Sequence, residues 1–449
     1  MKLSTKMGYG IGQMSDGMKA VSFSTFLFFY YNQVLGLSGS LAGIAALLAL
    51  FVDAITDPMV GQLSDRYKSK WGRRHPFMLV GALTFGVAFY ILFNPPAGLT
   101  EISLFSWMLG WAIAVRLALT LFYVPHLSLG AEMVKDYHQR TSLISYRVFF
   151  SYLAGLLLTV IAFTVFFPKS VAFPNGMLNG DSYSGFALFA SIVATIAMLW
   201  SIYATKSEIP HLSKPVDNPH AKHALLACIT VFSTLKLKSF RILFFTLLVF
   251  MTMAGITQTL IIYIASYLYE FSTEQLAILI VAQLVSLPFA PYIAKKFSVY
   301  FDKTKTLTLT VLIAAFIAYT PIIMYLAGVF QPLAMSTKLL LVFACSGIAQ
   351  AFFVAYIIVF DSMLSDTIDE HELATGRREE GLFFAARSFA LKASFGFGAF
   401  FAGIALDVIK FPKGAAIADI PAEALTSLAV FAGPVSLLLT LSTILISRK

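Results

Sequence analysis

The chain of 449 residues is short of charge. Only 12% of its side chains are Asp, Glu, Lys or Arg, about half the share of a soluble domain. A soluble fold of this length needs more polar surface to cover itself, so the composition argues against a soluble enzyme. With 58% of residues apolar, it argues equally against a disordered chain. Cysteine is nearly absent. Cys228 and Cys345 both sit in apolar runs, read as buried thiols, and two such residues make no disulfide scaffold and report no redox compartment. Acid is scarcer than base, 23 residues against 32, for a net charge of +9. That excess suits nucleic acid or anionic lipid, and its placement decides between them.

What is present is apolar sequence in long runs. Twelve are readable, over 10–34, 40–63, 77–95, 103–129, 143–167, 185–204, 241–267, 274–294, 305–329, 337–363, 381–405 and 425–446. Each is near the roughly 20 residues that a helix needs to cross a bilayer. They are continuous rather than alternating, which excludes the strands of a membrane barrel, and in lipid only a helix satisfies its own backbone within the segment. With the N-terminus inside, 23 Lys and Arg fall on one face, and Lys169, Lys338, Lys410 and Lys413 on the other. Lys19, Arg116, Arg147, Arg387 and Lys392 lie inside helices. This bias places both termini in the cytoplasm and spreads the positive charge over loops, so no nucleic-acid partner is expected. The first run carries Asp16 and Lys19 and is too long for a cleavable signal, so it is expected to remain as a helix.

The polar stretch 205–240, with Pro210, Pro215 and Pro219, divides the runs six and six. The predicted domains are a bundle over 1–204, a cytoplasmic linker over 205–240 and a second bundle over 241–449. The halves share landmarks: Asp57-Pro58 corresponds to Leu287-Pro288, and Glu132, Asp136 and Arg140 correspond to Asp366, Asp369 and Arg377. Such repeats are expected around a midplane binding site.

An ionisable group at bilayer depth costs about 2.5–3.5 kcal/mol on insertion scales, so it needs a function or a partner. Asp53 and Asp57 lie one turn apart in the second run. Two like charges at that spacing call for a cation, either a metal ion between the oxygens or a proton on one of them. Pro58 cannot donate to the helix and could free a carbonyl as a further ligand. Arg116, Thr120 and Tyr123 fall on one stripe of the fourth run, where Thr120 could add an oxygen and Arg116 could neutralise an aspartate when no cation is bound. Asp16 and Lys19 share a face of the first run, where they could simply neutralise each other. Arg147, flanked by aromatic residues, suits a hydroxyl-rich ligand or a salt bridge at a gate. Lys392 lies deeper in the eleventh run than Arg387, which is read as a gate or snorkelling residue. The loop after the second run, with Asp65, Arg66, Arg73 and Arg74, is read as an inner-gate latch, its bases set against Glu132, Asp136, Asp366, Asp369, Glu379 and Glu380 mostly across the two halves.

Asp53-Ala-Ile-Thr-Asp57-Pro58, with Gly61, Asp65-Arg66 and Trp71-Gly72-Arg73-Arg74 after it, resembles the glycoside–pentoside–hexuronide:cation symporters of the major facilitator superfamily. Tyr9-Gly10-Ile11-Gly12 before Asp16, the Pro125 region, Arg147 and Asp366…Asp369…Lys392 extend the resemblance over nearly the whole chain. It implies an all-α membrane protein with twelve transmembrane helices in two six-helix bundles. It implies inward symport of a sugar or glycoside with H⁺ or Na⁺ by alternating access, by a functional monomer in the inner membrane and without a cofactor. By position, Asp53, Asp57 and Thr120 resemble cation ligands, with Asp53 and Asp57 a metal site only if the ion is Na⁺. Asp16 and Arg147 resemble sugar-binding residues, and Lys392 the functional lysine of the eleventh helix. Tyr123, grouped with the substrate residues, stands where the melibiose permease has an Asp, and Leu127 where it has a Trp; the lost carboxylate leans toward H⁺. The rival readings are a lipid or lysolipid carrier of the same fold, marked by a lateral apolar cleft, and a membrane enzyme. No nucleophile elbow or HExxH supports the enzyme, and Asp369-Glu370-His371-Glu372 would diverge around a helix rather than hold a metal.

Overall fold

Apolar runs this long fold as helices, and their ends follow local capping chemistry. The computed structural model describes residues 2–134, 137–171, 173, 175–211, 232–376, 379–415 and 419–447. Cys228, Asp136 and Arg377 lie outside them. Among the described residues there is no strand. The chain divides into two compact units, Met1–Cys228 and Ile229–Lys449.

In the first unit, α1 (Leu3–Ile11) and α2 (Met14–Val21) continue through π-helical turns at Ser22–Leu27 and Tyr30–Val34. Next come α3 (Gly39–Arg66), α4 (His75–Leu92), α5 (Glu101–Met133), α6 (Tyr137–Ile161) and α7 (Ser182–Thr205). Thr100 caps α5 by accepting from the Ser103 amide at 3.3 Å. α5 packs against α3 and α4, while α6 packs on α1 and α2. These contacts are close because small residues line them. A Cβ on Gly81 would meet the Ala118 carbonyl at 2.6 Å, and one on Gly17 would run into the Ser151 backbone. A buried aromatic cluster of Phe26, Phe93, Phe167, Tyr183 and Phe186 fills one end of the unit.

The second unit holds α8 (Lys238–Tyr263), α9 (Thr273–Ser286), α10 (Phe289–Tyr300), α11 (Lys303–Leu326), α12 (Met335–Thr375), α13 (Glu380–Val408), α14 (Ala422–Val430) and α15 (Ser436–Ser447). Ser272 and Gln275 form a reciprocal capping box at the start of α9, and Asp302 caps α11. Gly376 ends α12 in the left-handed conformation, with φ +69°, where a side chain would be strained. α8 and α13 cross at Gly255 and Gly398, whose backbones leave no room for a Cβ on Gly398.

Among the described residues, ten helices are long and apolar enough to cross a membrane, or eleven if α9 and α10, bent by 46° at Leu287-Pro288, form one span. This multi-pass architecture agrees with the expected fold. The first run is helical without interruption from Met14 to Val34, starting after the turn at Gly12-Gln13 and carrying Asp16 and Lys19. The two Pro landmarks differ: α3 runs unbroken through Pro58, whereas Leu287-Pro288 separates α9 from α10.

Candidate functional site

The carboxylate pair and the helix stripe meet inside the first unit. α3 presents Asp53 and Asp57 toward α5, which returns Arg116 and Thr120. Arg116 Nη1 donates to Asp53 Oδ2 at 3.0 Å. The Thr120 hydroxyl lies 3.1 Å from Asp53 Oδ1 and 2.8 Å from Asp57 Oδ1. Asp53, Arg116 and Thr120 are 8%, 7% and 3% exposed. A hydroxyl has one hydrogen, so with both carboxylates ionised it donates to only one of them at a time. The Arg116 guanidinium also lies over the Phe23 ring at 5.2 Å, and Lys19 lies over the same ring at 5.8 Å.

The expected substrate residues of this unit gather nearby. Tyr123 feels the charges of Asp16, Arg147, Asp57 and Asp53, so all five share one neighbourhood. Asp16 accepts from the Gln13 side chain at 3.0 Å. Arg147, half-buried on α6, faces the Tyr9 hydroxyl. Lys392 is half-buried on α13 in the second unit.

The gate residues pair as follows. Glu132 Oε1 accepts from Arg73 at 2.7 Å and from Arg74 at 2.8 Å. Arg74 also pairs with Asp65 and donates to Ser64 Oγ at 2.7 Å. Arg66 is exposed. In the second unit Asp366 pairs with Lys303 at 2.6 Å, His371 lies 3.2 Å from Glu379, and Asp369 is exposed on α12. These pairs each join residues of a single unit, so the Arg73–Arg74–Glu132 contacts brace the first bundle internally.

Two groupings escaped sequence reasoning, one buried in the first unit and one half-buried in the second. His126 on α5 stacks on Tyr9 with ring centroids 4.1 Å apart, and its Nε2 meets the Tyr9 carbonyl at 3.0 Å and Ser201 Oγ at 3.2 Å. A carbonyl only accepts, so that contact places the hydrogen on Nε2. Tyr9 in turn donates to the His126 carbonyl at 3.1 Å, and Gly130 leaves space for its ring. In the second unit Asp361 accepts from Arg387 through both oxygens, so Arg387 is paired within its bundle and does not snorkel. Asp361 was readable as a carboxylate in the last turn of an apolar run; a single His beside Pro125 gave little signal. Among the described residues no group of three or more His, Cys, Asp or Glu could hold a metal ion.

An all-helical, multi-pass membrane protein with an ion-paired carboxylate site buried between its helices has the build of a major facilitator carrier. The chain belongs to the family described as MFS/sugar transport protein, which it matches over residues 8–448. The inner membrane symporter YicJ of Escherichia coli is 29% identical over 217 residues, 46% of this chain and 44% of that protein, so the chain spans less than half of that relative. The uncharacterized symporter YnaJ of Bacillus subtilis is 26% identical over 418 residues, 93% of this chain and 85% of that one. The inward open conformation of the xylose transporter XylE from E. coli superposes with a TM-score of 0.63. At 14% identity it covers 99% of this chain and 95% of that one, and it shares the fold.

Proposed function

We propose that this protein is a secondary active transporter that carries a sugar or glycoside into the cell together with a monovalent cation, H⁺ or Na⁺, by alternating access. It works as a monomer in the inner membrane with both termini cytoplasmic. The observation that carries the reading is the Thr120 hydroxyl held between the carboxylates of Asp53 and Asp57, with Arg116 on the far oxygen of Asp53. Two carboxylates one turn apart repel, and a site that must accept and release a positive charge uses that repulsion. Asp16 and Arg147 supply an acceptor and a set of donors for vicinal hydroxyls, and Tyr123 sits among them with an aromatic face and a hydroxyl. Membership in a sugar-transport family and relatives named symporters support the same assignment.

The test is uptake of a panel of sugars and glycosides into proteoliposomes under separately imposed Na⁺ and H⁺ gradients. Wild type should accumulate at least one sugar only with a gradient, and Asp57→Asn should lose accumulation. Accumulation by Asp57→Asn equal to wild type removes the carboxylate pair from the coupling role. Uptake that ignores every gradient removes symport itself.

A further inference from the structure

Arg116 Nη1 donates to Asp53 Oδ2 at 3.0 Å, so a permanent positive charge already sits on one of the two paired carboxylates. We infer that Arg116 is the ion-specificity determinant of this site, a built-in cation that denies Asp53 and Asp57 to Na⁺ and Li⁺. The inference rests on the reading of this site as the place where the coupling ion acts.

Both oxygens of Asp53 are engaged, Oδ2 by the Arg116 guanidinium at 3.0 Å and Oδ1 by Thr120 at 3.1 Å. A guanidinium stays protonated in proteins, so its charge is permanent. Its place is fixed on one side by the carboxylate and on the other by the Phe23 ring. Other charged groups of the neighbourhood are Asp57 on α3, Asp16 and Lys19 on α2 and Arg147 on α6, with the Tyr123 hydroxyl on α5. A metal ion entering here meets one of two obstacles. If it displaces Arg116 from Asp53, it leaves a buried guanidinium without its carboxylate. If it binds beside Arg116, two unit positive charges lie about 4 Å apart. At an effective dielectric near 20 that repulsion weakens binding about a thousandfold.

The experiment is equilibrium binding of radiolabelled Na⁺, with Li⁺ as competitor, to purified full-length protein. Wild type and Arg116→Lys should show no saturable Na⁺ binding. Arg116→Gln should bind Na⁺ saturably, at least about a hundredfold more tightly than wild type. Adding Asp53→Asn to Arg116→Gln should abolish that binding. If Arg116→Gln does not yield folded protein, Arg116→Met, which keeps much of the bulk without charge, is measured in its place. Saturable, Li⁺-competed Na⁺ binding by wild type overturns the inference whatever the variants do. So does a folded neutral variant that binds no more Na⁺ than wild type. The symport reading fails separately, when sugar uptake by wild type responds to no ion gradient. Na⁺ binding by wild type sinks only the exclusion by Arg116.

Discussion

Glu132→Gln should destabilise the first bundle substantially while barely changing its shape. Glu132 Oε1 accepts from Arg73 Nη2 at 2.7 Å and from Arg74 at 2.8 Å through Nη2 and 3.2 Å through Nε. The side chains of Arg73, Arg74 and Glu132 are 13%, 5% and 13% exposed, so water can do little to replace the lost charge. Breaking a buried ion pair by removing one partner costs about 3–5 kcal/mol, because a charge is left uncompensated. Asp65 still pairs with Arg74 in the variant, but its side chain is 53% exposed. An exposed partner contributes about 0–1 kcal/mol, so the expected net loss is about 3 kcal/mol. Ser64 ends up in the same network, which therefore ties the end of α3, the start of α4 and the end of α5. The assay is thermal unfolding of detergent-purified protein, comparing Glu132→Gln with Asp65→Asn. Glu132→Gln should unfold well below wild type, and Asp65→Asn close to it. Equal unfolding temperatures for Glu132→Gln and wild type would refute the internal brace. The latch reading predicts instead that neutralising Arg73 and Arg74 together biases the carrier inward-facing and slows active transport, changing the rate of thiol labelling of a single Cys in the cytoplasmic cavity of a Cys-free background.

Asp16→Ala should lose equilibrium sugar binding without a gradient, as measured by ligand protection from thermal unfolding; undiminished protection would remove Asp16 from the substrate site. Tyr9→Phe deletes the hydroxyl that bonds the His126 carbonyl and faces Arg147, so it should cost about 1 kcal/mol of stability and lower sugar affinity more than it slows saturated transport. A stability loss with unchanged affinity would make Tyr9 purely structural. Gly398→Val drives a side chain into the Gly255 backbone at the α8–α13 crossing, and an overpacked core typically costs about 1–3 kcal/mol. The variant should therefore melt below wild type, and wild-type stability would show that the crossing can spread.

The helices were legible because membrane insertion reads long apolar length, a property that survives any packing arrangement. Their ends were less so. The run read as 337–363 continues as helix to Thr375, because a helix that leaves the membrane can carry charge on every face until a residue such as Gly376 stops it. The first run starts a few residues later than its apolar pattern, after the turn at Gly12-Gln13, because hydropathy does not register a local backbone turn. The acids and bases of the candidate site were legible for the same reason as the helices. A carboxylate in an apolar run stands out, and the one-turn spacing of Asp53 and Asp57 places both on one face without knowledge of any neighbour. What spacing could not supply was the partner across the helix contact. Arg116 could be placed on a stripe with Thr120, but its choice of Asp53, 63 residues earlier, depends on how α3 packs on α5.

That dependence ties the chemistry of the site to the packing around it. α5 comes close to α4 because Gly81 admits the Ala118 backbone, and Ala118 lies between Arg116 and Thr120 in the same stretch of helix. A bulkier residue at position 81 would push this stretch of α5 outward. A shift of even half an ångström would lengthen a 3.0 Å ion pair toward the limit of a hydrogen bond. It would move Arg116 and Thr120 together, since both ride on one helix. The candidate ion site is thus set by the small residues that fix where α5 lies as well as by its own carboxylates. A change at Gly81 should alter cation dependence with every charged residue intact.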